Sequence, residues 1–107
     1  MKASSALATL LLSLASLPVN AWDGTVPGKV SKIDFSPDQY SVRVYLDGLS
    51  KLCGNTNPWA YFSESDANYP AFVSALLAAK ATKAPVILYS TADTDTGYCH
   101  IGYLVVQ

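Results

Sequence analysis

The N-terminal segment constrains this 107-residue chain most, because it decides how many residues are left to fold. Lys2 supplies one positive charge ahead of an apolar run over residues 6–15. This run is too short to anchor stably in a bilayer, and Pro18 ends it just before the compact residues that a signal peptidase reads. We predict a secretory signal peptide over residues 1–21. A retained membrane anchor is the alternative.

Cleavage of this signal would leave residues 22–107 as a single domain, near the smallest size at which one core holds a fold together. No second apolar stretch of comparable length follows, so we expect no membrane span in the exported part. The chain has 7 basic and 8 acidic residues, and the loss of Lys2 increases the acidic excess. This charge argues against nucleic acid and anionic membranes as partners. We expect a secreted or periplasmic protein.

Both cysteines, Cys53 and Cys99, lie in the exported part. An oxidising compartment favours a disulfide between them. In the chain-entropy model such a bond contributes about 4 kcal/mol, which is decisive for so small a domain. A free catalytic thiol is the alternative, and the absence of a Cys-x-x-Cys motif argues against it.

The apolar spacing predicts a mainly β fold with one helix. Residues 22–28 are rich in turn formers and predict an irregular lead-in. The predicted elements are a bulged strand over 29–35, strands over 40–46 and 59–62, a helix from Pro70 to about Thr82, and strands over 86–90 and 98–106. In the second strand, alternation puts four side chains on one side, those of Tyr40, Val42, Val44 and Leu46. This order, β-β-β-α-β-β, is that of the OB-fold, a five-stranded Greek-key barrel. An open α+β sheet with the helix on one face is the alternative.

The predicted helix has two sides of different character. The large apolar residues of one side are Phe72, Val73, Leu76 and Leu77. The small, uncharged residues of the other side are Ala71, Ser74, Ala75, Ala78, Ala81 and Thr82. A surface helix normally shows charges to water, so one interpretation is that a neighbouring subunit of a homo-oligomer covers the small side. The equal alternative is an exposed alanine-rich face, because alanine is the best helix former.

No catalytic or metal-binding motif is evident. His100 is the only histidine, so we expect it at the surface or hydrogen-bonded to a neighbour. Residues 93–97 resemble the opening of a calcium loop but lack its full set of acids, and a polar hairpin turn is expected. Asn68 or Asp66 is the predicted N-cap of the helix, and helix capping accounts for Glu64 and Asp66. We predict no enzyme, no metal and no cofactor.

Aromatic residues form the candidate binding site. Sugars bind with their apolar faces on Trp or Tyr, while amides, carboxylates and backbone groups take the hydroxyls. Trp59 follows two asparagines, and further tyrosines fall on neighbouring predicted strands. The candidate ligand-binding residues are Asn55, Asn57, Trp59, Tyr61, Tyr98 and His100. The alternative is that these aromatics fill the core of a small barrel.

Five features occur together in this chain: the signal segment, Trp22 at the start of the exported part, the element order, the cysteine pair and the helix segment 69–80. In this combination the chain resembles small exported bacterial proteins of the subtilase-cytotoxin B-subunit type. That resemblance implies OB-fold subunits that form pentamers, with helices around a central pore, and that bind sialylated glycans. One position departs from the pattern. Those lectins hold the sugar with a serine just before the Gly-x-Val of the first strand, whereas here Pro27 precedes Gly28 and has no hydroxyl.

Together these features predict an exported, non-enzymatic binding domain with a glycan as the ligand class, assembled as a homo-oligomer. The alternative is a periplasmic or secreted accessory protein that acts through a protein–protein surface.

Overall fold

The computed structural model describes residues 22–107, so the predicted signal peptide over residues 1–21 lies outside the described residues. Within these described residues, five strands and one helix follow in the predicted order, which confirms a mainly β fold with a single helix there. The elements are β1 (Gly24–Phe35), β2 (Val42–Leu46), β3 (Trp59–Phe62), α1 (Tyr69–Thr82), β4 (Pro85–Ala92) and β5 (Cys99–Val106). Within this part of the chain, no helix is long and apolar enough to cross a membrane.

The five strands form one sheet that closes into a ring in the order β1-β2-β3-β5-β4, with β4 paired back to β1. Neighbouring strands are antiparallel except for β3 and β5, which run parallel. Every strand therefore has two partners, and the open sheet that the sequence left as an alternative does not form.

The first strand is longer than predicted. Its first half, Gly24 to Lys29, pairs with β4, and its second half, from Val30 onward, pairs with β2 after the predicted bulge. The irregular lead-in expected over residues 22–28 is therefore wrong. A Cβ on Gly24 would overlap the carbonyl oxygen of Leu52, so the same glycine that suggested a turn is what lets the strand pass close to the neighbouring loop.

The core lies inside the ring and follows the alternation along each strand. Val42, Val44 and Leu46 of β2 are buried, as predicted, while the residues between them are half-buried on the outer side. The other large side chains that are fully buried are Leu52, Phe62, Leu76, Val86, Leu88 and Ile101. The outer side of the ring is thus left to polar and aromatic residues, among which the candidate site lies.

Helix α1 packs on the ring through a strip that is narrower than predicted. Leu76 and Ala79 are buried, and Phe72 and Val73 pack against the core from its edge. Leu77 was expected on the same side but is 47% exposed. Each helical residue turns by about 100°, which carries Leu77 beyond the edge of this strip.

The small face of α1 is left uncovered within the described chain. Ala71, Ser74 and Ala78 are exposed there, and Ala75 is half-buried. Together with the exposed Leu77 they form an uncharged outer face on the helix. The face on which one interpretation of the sequence placed a neighbouring subunit is therefore accessible in the described chain.

The predicted disulfide between Cys53 and Cys99 is present, with 5.7 Å between the two Cα atoms. Cys99 is the first residue of β5 and pairs with Ala60 of β3 in the parallel register. The bond therefore ties the loop before β3 to the start of β5. The alternative of a free catalytic thiol is wrong, since neither cysteine is free.

Candidate functional site

A cleft of about 460 Å³ opens on the outer side of the ring. Two loops border it: residues 36–41, which join β1 to β2, and residues 93–98, which join β4 to β5. Residues after the end of β3 complete it. The side chains that give the cleft its chemistry are Tyr40, Tyr61, Asp66, Asp93, Asp95 and His100.

Tyr61 of β3 forms the floor of the cleft. Its neighbours Ala60 and Phe62 point into the core, so alternation turns Tyr61 outward. It is nevertheless only 8% exposed, because the rings of Tyr40 and His100 cover it at centroid distances of 4.8 and 5.1 Å. This burial, reinforced by the negative charge of Asp93, raises the pKa of Tyr61 to about 12.

His100 and Asp66 form the polar wall beside Tyr61. The Nε2 of His100 lies 2.9 Å from the Oδ2 of Asp66, as expected for a histidine hydrogen-bonded to a neighbour. The same oxygen accepts the N–H of Ser63 at 2.9 Å. Of the two predicted caps, Asp66 does not cap the helix, because its carboxylate folds back onto Ser63. Asn68 is the N-cap residue, although its side chain makes no capping hydrogen bond.

Residues 93–97 form the predicted polar hairpin turn. The Oδ1 of Asp93 accepts the N–H groups of Asp95 and Thr96 at 2.8 and 3.3 Å. Gly97 closes the turn with a φ of +74°, in the left-handed region that glycine tolerates best. These bonds leave the Oδ2 of Asp93 directed at the Tyr61 hydroxyl, 3.5 Å away.

The two asparagines of the predicted site do not line the cleft. The Nδ2 of Asn55 donates to the carbonyl oxygen of Gly97 at 2.7 Å, and its Oδ1 accepts the N–H of Asn57 at 3.3 Å. Asn55 therefore holds the loop before β3 against the hairpin turn, and the N–H of Asn57 helps to orient the Asn55 side chain.

The predicted aromatics form a continuous row that leads into the cleft. Trp59 contacts Tyr98 at 4.8 Å between ring centroids, and Tyr98 contacts Tyr40 at 5.1 Å. The guanidinium of Arg43 lies 5.2 Å from the Trp59 ring and covers part of it. Because Trp59 and Tyr98 are half-buried on the outer side of the ring, these two residues do not fill the core.

Sequence reasoning brought Tyr61 and His100 to the cleft but missed Tyr40, Asp66 and Asp93. Alternation placed Tyr40 on the same side of a strand as Val42 and Val44, whereas it lies in the loop before β2. The acids were explained by local roles in a cap and a turn. The sequence does show polar and aromatic residues in the loop before β2 and in the loop before β5. They indicate a binding site only if the two loops lie close together, and the sequence does not show that they do.

Carboxylates predominate among the charged groups of the cleft. Three carboxylates line it, while no lysine or arginine is among its lining residues in the described chain. Within residues 22–107, no three His, Cys, Asp or Glu side chains gather in an arrangement that could hold a metal ion. Comparison with protein-family models, with curated proteins and with solved structures finds no match to this chain. The function therefore has to be inferred from the cleft itself.

Proposed function

We propose that this protein is an exported, non-enzymatic binding domain of the OB type that holds a glycan in the cleft over Tyr61. The position of the cleft carries the proposal. OB-folds bind oligonucleotides and oligosaccharides on the face of strands two and three, between the loop that joins strands one and two and the loop that joins strands four and five. The cleft lies at the corresponding place in this ring, between residues 36–41 and residues 93–98.

The side chains of the cleft favour a glycan over a nucleic acid. Proteins that bind nucleic acid neutralise phosphates with lysine and arginine, and the residues lining this cleft in the described chain include neither. Tyrosine rings and several hydroxyl and carboxylate oxygens suit a ligand that offers apolar ring faces and many hydroxyl donors. A volume of about 460 Å³ is also in the range of small-ligand sites.

Export and assembly belong to the same proposal. The Cys53–Cys99 disulfide is typical of proteins that work in an oxidising compartment, which supports a secreted or periplasmic location. The uncharged outer face of α1 supports a homo-oligomer, because an exposed leucine, Leu77, sits among small residues that allow close helix approach. This assembly would resemble that of toxin B subunits, with the glycan bound at a different place from the one Pro27 occupies.

A second candidate function has its own observation. Trp22, Tyr89 and Tyr103 form an aromatic cluster on the outer side of β4 and β5, with the Tyr89 and Tyr103 rings 5.0 Å apart. Tyr103 is 52% exposed. Exposed tyrosine and tryptophan are enriched in protein interfaces, so this cluster favours an accessory protein that binds a protein partner.

A glycan array with the purified exported protein tests the first function. We expect binding to a defined set of glycans, and we expect Tyr40→Ala to weaken it by about tenfold, because it removes an aromatic wall of the cleft. Tyr103→Ala is the matched control, since it removes an exposed tyrosine outside the cleft, and should bind like the wild type. A folded wild-type protein that binds no glycan on the array would overturn the proposal.

A further inference from the structure

The cleft has an excess of negative charge that its own residues do not neutralise. Asp66 is hydrogen-bonded to His100 through Oδ2, and this histidine is the one lining residue in the described chain that can carry a positive charge. Asp93 and Asp95 have no cationic side chain paired with them among residues 22–107. Two carboxylates at the same border of the cleft are thus available to a ligand.

The floor of the cleft carries a tyrosine hydroxyl with a weak partner. Tyr61 is 8% exposed, and its hydroxyl has one hydrogen-bond contact, to the Oδ2 of Asp93 at 3.5 Å. That distance is beyond the usual range for a hydroxyl donor. Since buried polar groups are normally well satisfied, a ligand group placed between Tyr61 and Asp93 could bond to both.

We propose that the cleft selects glycans that carry a free, protonated amino group over neutral and anionic glycans. An ammonium has three donors and no acceptor, which matches the carboxylates of Asp93 and Asp95 and the hydroxyl oxygen of Tyr61. The tyrosine rings add favourable cation–π contact. This inference rests on the proposed glycan-binding function and names the chemical class of its ligand.

The same charges disfavour acidic sugars. A ligand carboxylate in this cleft would meet Asp66, Asp93 and Asp95 without a lysine or arginine beside them in the described chain. Like charges at close range are destabilising, the more so where water is partly excluded. The sialylated ligands that the B-subunit resemblance implies are therefore not the ones that this cleft selects.

Three oligosaccharides separate these possibilities when each is titrated into the wild-type protein. The trimer of N-acetylglucosamine and the fully deacetylated glucosamine trimer share rings and linkages and differ in charge, and sialyllactose supplies an anionic sugar. We expect the deacetylated trimer to bind about five- to tenfold more tightly than the acetylated one at low salt, and sialyllactose to bind most weakly. Added salt should reduce the preference, because it screens exposed charges.

A matched pair of variants shows whether the preference arises in the cleft. Asp95→Asn removes a cleft charge from a side chain to which no described residue donates a hydrogen bond. We expect it to reduce the preference for the deacetylated trimer, measured as the ratio of the two trimers' affinities, about threefold. Asp47→Asn removes the same charge from an exposed turn at the other end of β2, and it should leave this ratio as it is in the wild type.

Each contrary result has a distinct meaning. Equal or tighter binding of the acetylated trimer overturns the amine preference and leaves glycan binding standing. A preference for the deacetylated trimer that Asp95→Asn does not reduce, or that Asp47→Asn reduces equally, also overturns the inference, because the selection then arises elsewhere. If none of the three sugars binds, the inference fails, whereas the proposed function fails when the whole glycan array is negative.

Discussion

At the residue scale, Tyr61 shows how distant parts of the chain determine the properties of one side chain. It lies on the outer side of β3, yet it is nearly as buried as the core. Tyr40 and His100, which come from the loop before β2 and from β5, cover its ring. The loss of water disfavours the phenolate, and the charge of Asp93 disfavours it further. Tyr61 therefore keeps its proton in the folded protein at a pH that would ionise an ordinary tyrosine.

This raised pKa predicts a loss of stability at alkaline pH. Tyr61 titrates near 12 when folded and near 10.0 when unfolded, so between these values the unfolded state binds fewer protons and the free energy of unfolding falls as pH rises. Below the lower value its contribution is fully present. We expect Tyr61→Phe to flatten this decline, as measured by urea denaturation at a series of pH values.

The control for this measurement is Tyr103→Phe, which changes a half-exposed tyrosine that does not line the cleft. It should leave the alkaline decline as it is in the wild type. An identical decline in Tyr61→Phe and the wild type would contradict the assignment of this pH dependence to Tyr61.

The sequence predicted two of the residues that meet in the cleft, Tyr61 and His100, from their type and their strands. It did not predict which residues lie beside them. Asp66 lies far along the chain from His100, and Asp93 far from Tyr61, so no local pattern links them. The sequence indicated which side chains suit a binding site, whereas the contacts of Tyr61 and His100 with the two aspartates depend on how the strands pair in the ring.

At the scale of elements, the Cys53–Cys99 bond holds together the parts that border the cleft. It joins the loop before β3 to β5, and Asn55 of the same loop also binds the hairpin turn at Gly97. The parallel pairing of β3 and β5 covers few residues, Ala60 with Cys99 and Tyr61 with His100. The disulfide therefore reinforces the shortest contact between neighbouring strands in the ring.

Loss of the disulfide should destabilise the protein strongly. The bond closes a loop of 46 residues, for which the chain-entropy model gives about 4 kcal/mol. We expect Cys53→Ala and Cys99→Ala to lower the free energy of unfolding by similar amounts, and the double variant to lose little more than either. Urea denaturation measures all three, with Ser50→Ala as a control at an exposed neighbouring residue. Additive losses would show that the two cysteines do not act as one bond.

Elements with a clear local pattern were predicted well, and β1 shows where such patterns fail. The alternation of β2 and the bounds of β3 agree with the structure. Gly24, Pro27 and Gly28 instead suggested a loop, because glycine and proline are poor strand formers. Their segment is a strand because it pairs with β4, which is a contact that no local propensity encodes.

At the scale of the whole molecule, the outer face of α1 is the surface through which subunits are proposed to associate. Leu77 is 47% exposed there, next to small side chains and without a charge before Lys80 at the end of the helix. Close packing of a second helix against such a face would bury apolar area on both sides. The predicted assembly therefore depends on a residue that does not stabilise the isolated chain.

A charge placed on this face should separate the subunits without unfolding them. We expect the wild-type protein to be oligomeric in multi-angle light scattering and Leu77→Lys to be a monomer. The free energy of unfolding of the monomer should change by less than about 0.5 kcal/mol, because the side chain is exposed. Phe35→Lys makes the same kind of change at another exposed hydrophobic residue, on β1, and should leave the oligomer intact. A monomeric wild-type protein would contradict the proposed assembly.

The sequence by itself determined the element order, the inward side of β2 and the pairing of the two cysteines. These depend on periodicity along short segments and on a choice between two residues, so local information is sufficient. The tertiary structure decided the closed ring, the full length of β1, the outward turn of Leu77 and the acidic cleft over Tyr61. Each of these depends on contacts between residues that are distant in the chain. Such contacts form, and stabilise the fold, only when the strands have paired, so no short segment of sequence encodes them.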